Sequence, residues 1–495
     1  TFFHESSLSH FYLFQDLQNS RITISNFKNN EVVQYPLILL KGTIEHDNCN
    51  ESSKANVRHA NDCAISESNT KPSKNSFKVL IELKPGENLV SIDFCCSSIN
   101  MKLTYRRRKS CLNIVPMYII NDGHSGQFQS SDLEDNSPES ACKRILTGSK
   151  LLQCLIAEKL YEEGFGRKTF QLENDECVIF RSNLNYKIAR KMNQEELWGY
   201  LGREIMNSKI GSNAKKYLGF LSCTKYNGES KLIETYEDMI KVTEGHIALG
   251  GGGLALFGSA CLHTWPEKVE DVVRRFEDNT SVDKQKFMDD SCYRGTYGTC
   301  FTTTLGSVLH ELCHTFDLAH TQDGIMDRGF DNIHKFFIVT NSIASDNLDE
   351  ESVATKSTCF RANLAVNSFV NNSGIIRNPN CVQNSNIRKK YEDDTYFARS
   401  CSVILSYHKF FNDYSNRNSG YILKFDTSTN FVKSTLGIRV IEIRKGTNEM
   451  VADSWIFTGK ILKYSFHIPE DCLSDTDKLF IEDNAGNIVK EFYER

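Results

Sequence analysis

Four residues in one short stretch carry chemistry: His310, Glu311, His314 and His320, in the string HELCHTFDLAH. Residues four apart share a face of a helix, so His310 and His314 can aim ring nitrogens at one point. Imidazole nitrogens paired in this way are ligands for a divalent metal, zinc above all. Glu311 sits one position on, close enough to reach a water on that metal without ligating it. His320 lies too far along for an unbroken helix, so the chain must turn sharply after His314. Three protein nitrogens leave a fourth tetrahedral position open, which marks a catalytic zinc rather than a structural one. The competing reading is a surface helix rich in histidine. Leu305, Val308, Leu309, Leu312 and Phe316 argue against it, because they form an apolar stripe at helical spacing. The helix is therefore expected to bury one side and carry the ligands on another, with Thr302, Thr303 and Thr304 supplying its N-cap.

Beyond His320 comes Gly324-Ile325-Met326. With it, the string resembles the metzincin clan of zinc peptidases, whose pattern is H-E-x-x-H-x-x-G-x-x-H followed by a Met-turn. The resemblance implies one catalytic Zn2+ held by His310, His314 and His320, with Glu311 as general base and Met326 as the Met-turn residue. Two positions depart from the pattern. Asp317 stands where a glycine usually turns the backbone, and Arg328 stands where some metzincins carry an auxiliary tyrosine. Aspartate is among the few other residues that tolerate the left-handed region. The helix is thus expected to end near Asp317, with its carboxylate bonded to a backbone N–H or a basic group such as Arg328. The longer run from 310 to 332, together with GGGGLALFGS (250–259) and TWP (264–266), is similar to a narrower eukaryotic family assigned as zinc metallopeptidases from this motif. That similarity implies a metzincin-like peptidase, a peptide or protein substrate and a cytoplasmic location.

The glycine run has its own reading. Gly250 to Gly253 precede Leu254, Ala255, Leu256 and Phe257, a short strand-like segment. In metzincins an edge strand ahead of the active-site helix pairs with extended substrate. Strand addition takes affinity from backbone hydrogen bonds, and glycines admit another backbone closely. Gly252, Gly253, Leu254, Ala255 and Leu256 are therefore candidate substrate-binding residues. A phosphate cradle is excluded, because no Gly-Lys-Ser/Thr follows. The plainer alternative is a glycine-rich loop before a buried strand. His263, just beyond, reads as a packing histidine.

These residues need elements to hold them. The expected fold is α+β, a metzincin-like catalytic domain flanked by β-sandwich-like modules. Residues 1–110 read as short strands (RITISNF, YPLILLKGTI, SFKVLIELK, NLVSIDF, MKLTY) around a polar, disordered insert at 46–76. Residues 111–420 form the peptidase domain. It opens on a buried strand, CLNIVPMYII, and continues with helical periods at 149–164 and 194–206 and a further helix at 398–412 carrying Tyr407 and His408. Residues 421–495 return to strand patterns, with Asn-Ala-Gly-Asn at 484–487 as a hairpin signal.

Composition bounds the rest. A chain of 495 residues with 40% hydrophobic and 24% charged content is globular and large enough for several domains. A net charge of −5 gives no reason to expect nucleic acid, and no apolar stretch reaches membrane-spanning length. The 17 cysteines, with Cys95 and Cys96 adjacent, follow no framework spacing, so reduced thiols are expected. Cys313, between the two helix ligands, reads as a small buried residue. Sequons begin at Asn50, Asn279 and Asn371.

The expected function is zinc-dependent endopeptidase, with metal-activated water and Glu311 taking its proton. Two rival classes remain: a catalytically inactive scaffold, and a zinc hydrolase of a non-peptide amide. An open cleft beside an edge strand distinguishes a peptidase from the second, which would need a closed pocket.

Overall fold

The computed structural model describes residues 21–45, 55–61, 64–70, 75–94, 97–230, 233–339, 395–413 and 420–493. Asn50, Asn371, Cys95 and Cys96 lie outside the described residues.

Strand alternation is regular in one N-terminal strand, while its partner Leu37–Glu45 begins with four buried residues in a row. Ser76–Glu82 buries every second residue, as a strand with one face on a core must. It pairs antiparallel with Leu37–Glu45, which pairs with Arg21–Ile24. A second sheet runs in the order Glu31–Val33, Ser97–Tyr105, Gly86–Phe94, Ala55–Asn61 and Ala64–Thr70. The last two strands correct an expectation, since they fall inside the polar insert read as a loop. Ala55, Val57 and His59 turn inward at alternate positions, and the His59 ring lies 2.8 Å from the Asn88 carboxamide. That period of two was hidden because small and polar residues supply it.

The middle of the chain forms a five-stranded sheet, in the order Val178–Asn185, Asn113–Asp122, Lys215–Leu221, Leu254–Gly258 and Ala248–Gly251. The first four strands are parallel and the last is antiparallel to its neighbour. Asn113–Asp122 is buried along almost its whole length, as a central parallel strand covered on both faces should be. Val115, Met117 and Ile119 share one apolar cluster with Leu197, Leu201 and Ile205 of helix Gln194–Met206. Ile114, Tyr118 and Ile120 belong to a second cluster with helices Pro138–Glu162 and Tyr297–Thr315. The first of these two helices begins well before the expected position 149, because Ser137 caps it and Pro138 fills its first turn.

A six-stranded antiparallel sheet is built around the long strand Phe431–Lys445. Lys478–Asp483 and Ile488–Phe492 form the hairpin signalled by Asn-Ala-Gly-Asn. Val440 and Phe480 of this sheet lie in the same apolar cluster as Leu39, Leu152 and Leu309. The core is therefore continuous from the N-terminal sheets to the C-terminal one. The helix Arg399–Tyr407 lies between the last sheet and the rest.

Candidate metal centre

The helix Tyr297–Thr315 presents the first two histidines. Its N-cap is Thr296, whose hydroxyl accepts the Thr299 N–H in a capping box. Thr302, Thr303 and Thr304, expected at the cap, lie inside the helix. The hydroxyls of Thr302 and Thr304 donate to the carbonyls of Gly298 and Cys300, four residues back. The expected apolar stripe is buried, and Cys313 and most of the remaining helix are buried with it. The helix threads the core instead of lying on its surface.

Asp317 ends the helix in the left-handed region, at φ 66°. The Leu318 N–H donates to the Cys313 carbonyl and the Asp317 N–H to that of His314. This is a Schellman termination, with aspartate in the place that glycine commonly takes. The Asp317 carboxylate pairs with Lys490 at 2.5 Å and His408 at 3.5 Å. Arg328, the expected partner, binds Asp331 at 2.6 Å instead. Burial alone would raise the Asp317 carboxyl, but the His408 and Lys490 contacts outweigh it and hold it well below the usual carboxylate range. Arg444 completes the clamp by donating to the Asp317 carbonyl at 2.8 Å.

The turn brings His320 back to His310 and His314. One nitrogen from each ring lies within 4.8 Å of the others, and the Nε2 atoms of His310 and His314 are 3.2 Å apart. Each Nδ1 faces a main-chain carbonyl: Ile325 for His310, Leu318 for His314 and Asn448 for His320, at 2.9, 2.8 and 2.7 Å. A carbonyl only accepts, so every Nδ1 carries a proton, and in a neutral ring that leaves Nε2 with its lone pair. Lone pairs facing one another repel unless a cation lies between them. The His320 Nε2 is buried with no hydrogen-bond partner among the described residues. Two ligands of a tetrahedral zinc, each about 2.0–2.1 Å from the ion, stand roughly 3.3 Å apart. The triad therefore fits a zinc ion, and the three carbonyls orient its rings as outer-shell acceptors do. Burial, with help from the neighbouring rings, lowers the His310 imidazole well below its usual range and brings His314 to about 4. Both are neutral at physiological pH, the state a ligand needs.

Glu311 is not part of the triad. Its Oε2 accepts the Gly250 N–H at 2.7 Å, and burial pushes its carboxyl up to about 8. Met326 is fully buried in the turn after His320, where its carbonyl accepts the Thr321 N–H. His408 packs against Asp317 and Phe316 rather than against the triad. His263 is buried between Phe287 and Tyr297, outside the triad.

The glycine segment needs a correction. Leu254, Ala255 and Leu256 form an inner strand, hydrogen-bonded on one side to Lys215–Leu221 and on the other to Ala248–Gly251. Gly252 and Gly253 form the hairpin turn, with φ 51° at Gly252. The sheet edge is Ala248–Gly251, one strand away from the expected segment. Two of its N–H groups are already engaged, Ala248 by Gln194 and Gly250 by Glu311. The edge presses hard on the helix: a Cβ at Gly250 would stand 1.9 Å from the Glu311 carbonyl oxygen. The glycine run was visible in the sequence, but which of its two strands borders solvent was not. Asn448, Arg444 and Lys490 had no local signal at all.

The profile of a family described as "Putative peptidase family" matches residues 21–407. A "putative zinc metalloproteinase" of Saccharomyces cerevisiae is 27% identical over 351 residues, 64% of this chain and 49% of that protein. Another protein of that description, from Schizosaccharomyces pombe, is 24% identical over 345 residues, 64% of this chain and 54% of its own. The chain thus spans about half the length of these relatives. With 387 consecutive residues (21 through 407) under the family profile, this chain belongs to the "Putative peptidase family".

Proposed function

We propose that this protein is a zinc-dependent endopeptidase with a metzincin-like centre. The observation that carries the reading is the triad, in which three Nδ1–H groups are tied to carbonyls and three Nε2 lone pairs converge. His310, His314 and His320 would hold one zinc ion, and Met326 would be the Met-turn residue beneath them. Zinc bound there supplies Lewis acidity, polarising a scissile carbonyl and making a water acidic enough to lose a proton near neutral pH. Glu311, beside His310 on the helix, would accept that proton and return it to the leaving amine.

The substrate is an extended peptide lying along Ala248–Gly251. To pair there it must displace Gln194 or Glu311 from the strand's N–H groups. Release from Gly250 frees the Glu311 carboxylate at the moment the peptide arrives. The relatives' names, both "putative zinc metalloproteinase", support the metal and the reaction class.

A second reading, a binding protein that cleaves nothing, draws on that same contact, since Glu311 is engaged by Gly250. Metal analysis of the purified chain tests the common foundation. Wild type should carry one zinc per chain and His314→Ala should carry less than a tenth of that. Equal zinc in both proteins would remove the triad as the site.

A further inference from the structure

A cavity of about 1140 Å³ lies where the C-terminal hairpin meets the central sheet. Its walls come from the end of helix Gln194–Met206, the start of strand Lys215–Leu221, the Gly252–Gly253 turn, residues 407–413 and the Asn484–Asn487 turn. Lys168, Arg203, Lys216 and Lys409 all line it. Among the described residues, none of the four is ion-paired to a carboxylate. The Lys168 ammonium donates to the Ser406 carbonyl and the Asn412 amide oxygen at 2.7 and 2.8 Å. Lys216 donates to the Gly252 carbonyl at 2.9 Å and stacks 5.0 Å from the Phe410 ring centre.

The acids nearby are committed elsewhere. Asp317 is held by Lys490 and His408, and Asp413 is 72% exposed and faces Arg108 at 3.9 Å. Lys215, a fifth cation in the wall, already pairs with Glu173 at 2.8 Å. Burial lowers the ammonium groups of Lys168 and Lys216, the second to about 8. Asp317 offsets part of the burial of Lys216, but positive charge withdrawn from water without a directly bonded counter-ion is costly, and an anion entering the cavity would relieve that cost.

We propose that this cavity is an anion-binding site, taking a ligand whose carboxylate or phosphate groups reach Lys168, Lys216, Arg203 and Lys409. A volume near the upper end of ordinary ligand pockets, about 300–1,000 Å³, suits a ligand with several such groups better than a bare phosphate ion. The carboxylates of an acidic polypeptide and a free polyanion share this chemistry. The site stands whether or not the triad cleaves peptides. Two elements nonetheless join it to the metal centre. Asp317, in its wall, closes the turn to His320. Gly252 lies in the hairpin whose Gly250 engages Glu311.

The test uses the full, zinc-loaded chain and fluorescein-labelled hexaglutamate at low ionic strength, followed by anisotropy, with labelled hexaglutamine as control. Wild type should bind hexaglutamate at least tenfold more tightly than hexaglutamine. Both Lys168→Met/Lys216→Met and the exposed pair Arg203→Gln/Lys409→Gln should lose at least tenfold of that affinity. Competition by inorganic tripolyphosphate in wild type would assign the site to free polyanions, and its failure to compete would assign the site to polypeptide carboxylates. Hexaglutamate should also raise the wild-type melting temperature more than that of Arg203→Gln/Lys409→Gln, in which both replaced residues are exposed. Equal binding of the two peptides, or unchanged binding in Arg203→Gln/Lys409→Gln, would overturn the proposal.

Discussion

The Nδ1 of His320 lies 2.7 Å from the main-chain carbonyl of Asn448, a residue 128 positions away. The contact is doubled, because the Val451 N–H donates to the His320 carbonyl at 2.9 Å. Both partners come from the turn and strand after Phe431–Lys445, beyond the stretch that the family profile covers. The third ring of the triad is therefore aimed by the C-terminal sheet.

That relationship predicts the effect of moving one carbonyl. Two glycines inserted after Thr447 would displace Asn448 at an exposed hairpin tip, a place where insertions are tolerated. Zinc affinity, measured by competition with a chelator, should fall by about 10–100-fold, the usual cost of losing an outer-shell partner. The melting temperature of the metal-free protein should barely move. Wild-type affinity in the insertion variant would show that Asn448 does not orient His320.

Asp317 makes two predictions. Asp317→Gly keeps the left-handed turn and should bind zinc, whereas Asp317→Val puts a branched side chain at φ 66°. That strain costs about 1–2 kcal/mol and should loosen His320, lowering zinc affinity about tenfold or more. Equal zinc affinity in Asp317→Val and wild type would refute the turn argument.

The acid limb follows from the charge. The folded Asp317 carboxyl is held below its usual range by His408 and Lys490, against the opposing effect of burial. A depressed folded pKa adds stability that is complete above the unfolded value of about 3.9 and is lost as pH falls below it. Asp317→Asn keeps the turn and removes this charge. Its melting temperature should therefore fall less steeply than that of wild type between about pH 5 and pH 3. Parallel acid limbs would mean that the His408 and Lys490 contacts contribute nothing.

Gly250→Ala tests the contact between sheet edge and helix. The added carbon would meet the Glu311 main chain at 1.9 Å, and backbone cannot swing aside as a side chain can. Overpacking of this kind costs on the order of 1–3 kcal/mol, so the melting temperature should drop clearly. The Gly250–Glu311 bond should be disturbed with it. A variant as stable as wild type would show that the edge sits further from the helix.

Much of the centre was legible because its signals are local. The spacing of His310, His314 and His320 specified three converging nitrogens, and Asp317 could be read as a left-handed turn because few other residues adopt one. Helix Gln194–Met206 has the bounds its periodicity gave, since Asn193 and Glu196 close a capping box there. What stayed hidden depends on distant pairing. Nothing near Asn448 or Lys490 announces contact with residues far upstream. Leu254–Leu256 looked like an edge because a short apolar run does not reveal whether one or both of its sides are paired. Thr302–Thr304 suggested a cap because threonine also bonds within a helix, as it does here.

The most direct test compares turnover and zinc content in wild type and Glu311→Gln, using a peptide library as substrate. Glu311 is not a ligand in this account, so the variant should carry as much zinc as wild type. Its hydrolysis should fall by about 10²–10⁴-fold, the range general acid–base catalysis supplies. Zinc-loaded Glu311→Gln that cleaves the library at the wild-type rate would contradict the assignment of Glu311 as the proton carrier, and with it the proposed peptidase mechanism.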